Sequence, residues 1–542
     1  MERGRDSQTG KIGIVFYVSL AVSILFLLWG VLFTENIAGV TTAVLEFVLN
    51  SFGWLYLTAT TLFLGFVVFL AVSRYGSIRL GKDDDRPEFG YFSWFAMLFA
   101  AGMGIGLVFW GVAEPISHLT TPPYGMAEAG TSEAGELGLQ YSFFHWGLHP
   151  WATYSVIAMA IAYANFRKDR GGLISSVFYP LLGDRVDGPI GKAIDILALV
   201  ATLFGVSVSL GLGALQVNGG LNFLFEVPNS AAIQLIIIAV ITVLFLISSA
   251  TGVGRGIKYL SNLNMVLAAL LLVFVFVLGP TIVLLDVFVQ TTGSYVGNLI
   301  PISFTTDALE QSAWAGDWTL FYWATWIAWC PFVGAFIARI SRGRTIREFV
   351  IGVLLVPSTL SFLWFSTFGG TALQLNEATG GQIATAVDNS VTAAFFVTLS
   401  QLPLSAITSV IVILLVSVFF ITSADSASFV LASMSSEGAV YPRIVLRLIW
   451  GGVISAFAAV VLLSGGLDAL QRVAIIAAVP FAVIMIVMCW AMLKAFSAEL
   501  QEEQEQKAKQ EQVVTVRQFA DDLRGNPAER GPEAPTTAPG KE

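Results

Sequence analysis

The residues whose types and spacing could do chemistry are aromatic. The segment Asp317-Trp318-Thr319-Leu320-Phe321-Tyr322-Trp323-Ala324-Thr325-Trp326-Ile327-Ala328-Trp329-Cys330-Pro331 sets Tyr322, Thr325, Trp326 and Trp329 on one helical face by their three- and four-residue spacing. A second cluster, His145-Trp146-Gly147-Leu148-His149-Pro150-Trp151-Ala152-Thr153-Tyr154, adds Trp146, Trp151 and Tyr154 beside a proline that opens the backbone. Trp and Tyr also anchor helices at a membrane surface, which suits Trp318, but Trp326 and Trp329 lie about two to three helical turns deeper. Rings gathered at depth from two helices make a box. A box without a nearby carboxylate suits a cation whose charge is spread over methyl groups, because ring faces attract it and tolerate its lack of hydrogen-bond donors.

Two further stretches carry backbone or hydroxyl chemistry. Ala100-Ala101-Gly102-Met103-Gly104-Ile105-Gly106-Leu107 places glycines at every second residue of an apolar run. Gly102 and Gly106 have the four-residue spacing of close helix packing, whereas the third glycine points to a broken helix that exposes carbonyls to cations and helix ends to a solute. Phe419-Phe420-Ile421-Thr422-Ser423-Ala424-Asp425-Ser426 offers hydroxyls, which are hard oxygen ligands, although Ser and Thr often only bond back within their own helix. The histidines His118, His145 and His149 do not make a metal triad by spacing, and Cys330 and Cys489 show no paired or metal-ligand spacing. No nucleophile with its base, and no charged ring of a channel filter, is visible.

The elements that must position these residues are membrane helices. Of 542 residues, 56% are hydrophobic and only 12% charged, against about 25% charged in a soluble chain. Twelve apolar segments are long enough to cross the hydrocarbon, near 12–33, 54–74, 91–112, 138–163, 190–222, 231–250, 259–285, 318–338, 350–373, 404–433, 445–464 and 472–495. The first is too long for a signal-peptide core and reads as a retained helix. Basic residues concentrate in alternate connections, such as Arg74 to Arg86, Arg167 to Lys192 and Arg339 to Arg347, which places those connections and both termini in the cytoplasm. The expected organisation is a short segment 1–11, one membrane domain over 12–496 and a cytoplasmic tail over 497–542 that starts as a charged helix and ends disordered. Near Thr306 to Ala315 and Asp388 to Leu402 short surface helices and loop with some helical turns are equally open. Asp195 and Asp425 are candidate partners of the cytoplasmic arginines, as a gate or structural bridge ahead of a proton relay.

The sequence resembles the betaine/choline/carnitine transporter family over roughly Lys11 to Lys494. The residues that carry the resemblance are Met103-Gly104-Ile105-Gly106 running into Phe109-Trp110-Gly111-Val112-Ala113-Glu114-Pro115, the tryptophan segment of the eighth span, and Ala338-Arg339-Ile340-Ser341-Arg342-Gly343-Arg344-Thr345. The resemblance implies an all-α polytopic fold of twelve helices. Two leading helices would precede a LeuT-like inverted repeat of five plus five, at about 91–285 and 318–495, with an unwound third helix. It implies a transporter in the cell (inner) membrane among lipids, not an enzyme, that takes up a quaternary-ammonium solute with sodium as the coupling ion and no other cofactor. It also implies homotrimers and no nucleic-acid partner. By matching motif, the substrate box comprises Trp146, Trp151, Tyr154, Trp326 and Trp329, with Trp329 as the main cation-π partner, and Thr325 stands where the family commonly has another tryptophan. Gly102, Met103, Gly104, Gly106 and Ser209 would complete the solute site. One sodium site would use Ala100, Met103, Phe419, Thr422 and Ser423; a second would use Thr202 and Phe332, with Val206 where the family has a second threonine. Glycine betaine is the first expectation; choline, ectoine, proline betaine, a sulfonium analogue and sodium-independent exchange remain open.

Overall fold

A computed structural model describes residues 11–102, 104–251, 254–309, 313–439 and 441–524. Helices account for the architecture, and no strand occurs among the described residues beyond an isolated bridge between Arg79 and Thr345. Leaving single turns aside, the helices are α1 (Ile14–Leu32), α2 (Thr34–Val72), α3 (Tyr91–Gly102), α4 (Ile105–Thr120), α5 (Ser132–Trp146) and α6 (Leu148–Ala162). These continue into α7 (Pro189–Phe225), α8 (Ala231–Thr251), α9 (Gly254–Leu278), α10 (Thr281–Ser303), α11 (Phe321–Ile340) and α12 (Ile346–Ala378). The remainder are α13 (Gln382–Asn389), α14 (Ala394–Ser400), α15 (Ser405–Met434), α16 (Ile444–Leu463) and α17 (Gly466–Arg524).

Among the described residues ten continuous helices are long and apolar enough to cross a membrane, so the chain is a polytopic membrane protein. The two expected spans missing from those ten are the third and fourth, and the reason is physical. Each is interrupted, as α3/α4 and α5/α6, so that neither half is long enough alone. Of the stretch near Thr306 to Ala315, residues 304–309 lack helix, 310–312 lie outside the described residues and 314–315 are helical, while α10, which was not expected, precedes it. The stretch near Asp388 to Leu402 does carry short helices, in α13 and α14. The tail is helical to Arg524, and its expected disordered part, like residues 1–10, lies outside the described residues. The chain forms two units that divide at Leu493 within α17.

Burial follows from the solvent these helices need. α8 and α9 expose Val240, Val243, Leu244, Val266, Leu270 and Val273 along one side, as helices facing acyl chains do because all their backbone groups are satisfied internally. α4, α6, α11 and α12 are buried nearly all round and pack on one another: α11 runs along α6 and α7, α12 along α4, and α15 along α7. This inner group holds both helix interruptions.

The basic connections are laced together at one end. α12 starts in a capping box in which Thr345 Oγ1 accepts from Glu348 N and the Glu348 carboxylate accepts from Thr345 N. Leu80 N donates to Arg344 O and Gly343 N to Leu80 O, both at 2.8 Å. The Arg344 guanidinium is buried over the Trp94 ring, 3.9 Å from its centroid, and donates to Phe89 O and Glu348. Asp85 accepts from Lys82 N at 3.0 Å and pairs with Arg342 at 3.2 Å.

Asp85 lies outside the spans, and the hydrogen bond from Lys82 N holds its carboxyl below the ordinary value; partial burial opposes this, and Arg342 adds to the lowering. A lowered folded-state value means that the contribution is present above the unfolded carboxylate pKa of about 3.9 and is lost as pH falls through the lowered value. Asp85→Asn should therefore speed amide hydrogen exchange across residues 80–86 at neutral pH, and unchanged exchange there would refute the role given to Asp85.

Candidate functional site

α3 ends at Gly102, and Gly104 is extended (φ −154, ψ −178) before α4 begins at Ile105. Met103, expected in both the solute and sodium sites, lies outside the described residues. The second interruption falls at Gly147 (φ −95, ψ −128), between α5 and α6, with Pro150 two residues into the new helix. A break leaves backbone groups without helical partners, and here other elements supply them. His145 O accepts from Trp326 Nε1 at 2.9 Å, and Leu148 N donates to Tyr295 OH at 3.2 Å. The broken fourth span is thereby tied to α11 through a ring of the expected box.

The rings that come together are Trp146, Trp151, Tyr154, Tyr322 and Trp326. Trp146 meets Trp326 edge-on with centroids 4.9 Å apart, Tyr322 stacks on Trp326 at 5.8 Å, Tyr154 meets Trp326 at 6.2 Å, and Trp151 meets Tyr154 at 5.6 Å. Trp146, Trp151 and Tyr154 are buried, and Trp326 is half-buried. Gly106 lets the α4 backbone lie against this group: a Cβ there would stand 3.0 Å from Trp146 Cη2. At Gly104, by contrast, no atom of the described residues lies within 4 Å of a Cβ.

Trp329 stands apart from those rings. Its indole donates to Gly205 O of α7 at 2.7 Å, and its ring neighbour is Phe332 at 5.5 Å. A Cβ on Gly205 would lie 2.9 Å from Trp329 Cδ1, so only glycine admits this approach. Ser209, half-buried, follows Gly205 by one turn. Thr325 is buried with its hydroxyl bonded to Phe321 O at 2.8 Å.

A residue missed by the sequence reading sits behind this group. Glu114, fully buried in α4, accepts from Trp146 Nε1 at 2.9 Å and Tyr322 OH at 2.5 Å through Oε2, while Oε1 lies 2.7 Å from His145 Nδ1. The expectation of a box without a nearby carboxylate is therefore corrected. A buried carboxylate is costly unless its lone pairs are satisfied, and this one is met by three side chains. The expected third span ended at 112, two residues before Glu114, whereas α4 runs on to Thr120 and carries this acid inside the bundle; the sequence also hid that α4 and α5 pack side by side. The histidines are corrected in part as well. The ligand atoms of Glu114, His118 and His145 all lie within 4.8 Å of one another. His149 is elsewhere, stacked on Trp323 and bonded to Ser303.

The hydroxyl residues bond within their helices. Thr422 Oγ1 donates to Val418 O at 2.9 Å and lies 3.2 Å from Phe419 O. Thr202 Oγ1 donates to Ala198 O at 2.7 Å. Ser423, Ala100 and Phe332 are half-buried, and Val206 is buried. Asp425 pairs with Arg447 at 3.4 Å, as expected of an acid near a helix end. Asp195 does not meet an arginine; it accepts instead from Ser175 N and Ser175 Oγ at 2.9 and 2.8 Å.

Glu114→Gln keeps the shape but replaces one acceptor oxygen by a donor, facing groups that also donate. A hydrogen bond to a charged group contributes about 1.5–3 kcal/mol, so the variant should melt several degrees below wild type in detergent. Gly104→Ala, with no described atom within 4 Å of the methyl, should not. Equal melting of Glu114→Gln and wild type would show that the carboxylate does not hold these rings.

The chain matches the family model described as "BCCT, betaine/carnitine/choline family transporter" over residues 14–501. It is 51% identical over 491 residues to the glycine betaine transporter OpuD of Bacillus subtilis, covering 90% of this chain and 95% of that protein. It is 47% identical over 488 residues to a probable glycine betaine transporter of Desulfitobacterium hafniense, covering 90% and 97%. Similarity to an ectoine/hydroxyectoine transporter of Virgibacillus pantothenticus is 44% over 483 residues, covering 89% and 96%. With its apolar helices and this near full-length match, the protein is a multi-span membrane transporter and belongs to the betaine/carnitine/choline transporter family.

Proposed function

We propose that this protein carries a quaternary-ammonium compatible solute, glycine betaine first, into the cell by sodium-coupled symport. The observation that carries the reading is the joining of Trp146, Trp151 and Tyr154 of the interrupted fourth span with Trp326 of α11, Trp146 also lying against Gly106 of the interrupted third span. Ring faces stabilise a desolvated methylated ammonium by about 2 kcal/mol or more, and the helix breaks beside them supply points about which the walls can move between two openings. In this reading Trp329, held against α7 by Gly205, closes the box from the far side, with Gly102, Met103, Gly104 and Gly106 forming the backbone wall and Ser209 a polar contact. The relatives named for glycine betaine support that solute. Thr325 and the relative named for ectoine favour a second reading, in which a hydroxylated wall admits ectoine.

The coupling ion would sit at Thr422 and Ser423 with the carbonyls of Ala100, Met103 and Phe419. The approach of Thr422 Oγ1 to Phe419 O supports this, since two oxygens 3.2 Å apart can share one cation. A second ion at Thr202 and Phe332 would be weaker, because Val206 offers no side-chain oxygen. The same reading counts twelve crossings, with the broken third and fourth spans added to the ten continuous ones. It takes repeats at about 91–285 and 318–495, termini in the cytoplasm of a cell whose inner membrane holds the protein, and three copies per assembly.

Transport is tested in proteoliposomes. An imposed inward sodium gradient should drive saturable accumulation of radiolabelled glycine betaine, and equal uptake without the gradient would defeat symport. Trp326→Leu should weaken solute affinity at least about tenfold, the factor that 1.4 kcal/mol represents, with Phe retaining part. Trp54→Leu, at an exposed position away from the box, should have no effect. Equal affinity of folded Trp326→Leu and wild type would defeat the aromatic box. In the Thr422→Ala/Ser423→Ala double variant sodium should no longer stimulate uptake, and unchanged activation would remove that ion site.

A further inference from the structure

Outside the solute box, the cluster of Glu114, His118 and His145 has features that neither solute nor sodium binding explains. All three side chains are fully buried. His118 is the anomaly, since among the described residues neither of its ring nitrogens has a hydrogen-bond partner, and Nε2 reaches only a 3.5 Å contact with Glu114 Oε1. A buried imidazole with both nitrogens unpartnered forfeits the desolvation cost of each. Its ring is held against Trp318 and Trp314, with centroids 4.4 and 5.1 Å away.

We propose that Glu114, His118 and His145 bind one divalent transition metal ion of the zinc class, independently of which solute the protein carries. The donor set is a carboxylate and two imidazoles, the combination of several zinc sites with three protein ligands and an open fourth position. Zinc bonds of about 2.0–2.2 Å place the ligands of a tetrahedron about 3.3–3.5 Å apart. The 3.5 Å separation of Glu114 Oε1 and His118 Nε2 already has that length. Oε1 and His145 Nδ1 are 2.7 Å apart and would spread by part of an ångström round an ion, while the set as a whole, within 4.8 Å, would draw in toward it. The outer partner is present too. His145 Nε2 lies 2.9 Å from Thr319 Oγ1, so with Nε2–H donating to that hydroxyl the Nδ1 lone pair is free for a metal. The neutral His145 then carries its one N–H on Nε2, and the Nδ1 lone pair, facing Oε1, is the one offered to the ion.

The site is linked to the box through a single carboxylate. Oε1 would take the metal, while Oε2 keeps the bonds from Trp146 and Tyr322. Metal occupancy and solute affinity must then alter each other by the same factor.

The test uses tag-free full-length protein in detergent, titrated with Zn2+ by calorimetry and with Co2+ by visible absorption. One ion per chain is expected, with the intense visible bands of four-coordinate Co2+. His118→Gln should weaken Zn2+ affinity at least about tenfold, which is 1.4 kcal/mol, and His118→Cys should recover most of it, because a thiolate is itself a zinc ligand. Loss in the Gln variant with recovery in the Cys variant cannot arise from misfolding of the position. Absence of saturable binding, or equal Zn2+ affinity in wild type, His118→Gln and His145→Gln, would overturn the proposal. Neither result depends on transport, so the metal site and the symport reading fail separately.

Discussion

Glu114 is the constraint around which the inner helices are arranged. Its carboxylate is fully buried, where an unpartnered charge would be costly beyond the stability of most folds. The side chains that meet it come from α5 and α11: His145 and Trp146 from the first, Tyr322 from the second. Satisfying one acid therefore fixes three helices relative to one another. The indole and phenol donors of two box rings are occupied by the carboxylate, so those rings need no other polar partner in an apolar site.

The interruptions at Gly104 and Gly147 follow a second rule of the membrane interior, that backbone can depart from a helix only where something else meets its polar groups. At Gly147 the partners are a tryptophan indole and a tyrosine hydroxyl. The same indole belongs to the ring cluster, so the break and the box stabilise each other. At the other end of these helices, Arg344 and Asp85 tie the connections before α3 and after α11 by backbone pairing, ring stacking and an ion pair. The basic residues that mark one side of the membrane thus also join the connections there.

Membership of a transporter family agrees with how the polar groups are distributed. Lipid-facing helices such as α8 and α9 carry branched aliphatic side chains outward. Glu114, His118 and His145 gather on α4 and α5, where neighbouring helices cover them. A solute path needs this division, because polar chemistry inside a bilayer survives only when protein, not lipid, surrounds it.

The sequence by itself determined the helical class, ten of the spans and the two weak points, because hydropathy over about twenty residues, glycine runs and Pro150 are local properties. Helical spacing also put Tyr322 and Trp326 on one face, and these two rings stack in the structure. The sequence alone does not predict the helix after Gly279, where α10 is less apolar than a span and more regular than a loop. Only the tertiary structure decided which faces meet. Glu114 and Trp146 are 32 residues apart, and nothing local in either segment tells that α4 and α5 lie side by side. The same holds for Trp329, whose position against Gly205 depends on the packing of α11 on α7 across 124 residues. His118 and His145 come together for that reason too, although spacing alone kept them apart. Periodicity is set by the backbone of one helix, whereas contacts between helices depend on the shape of both surfaces.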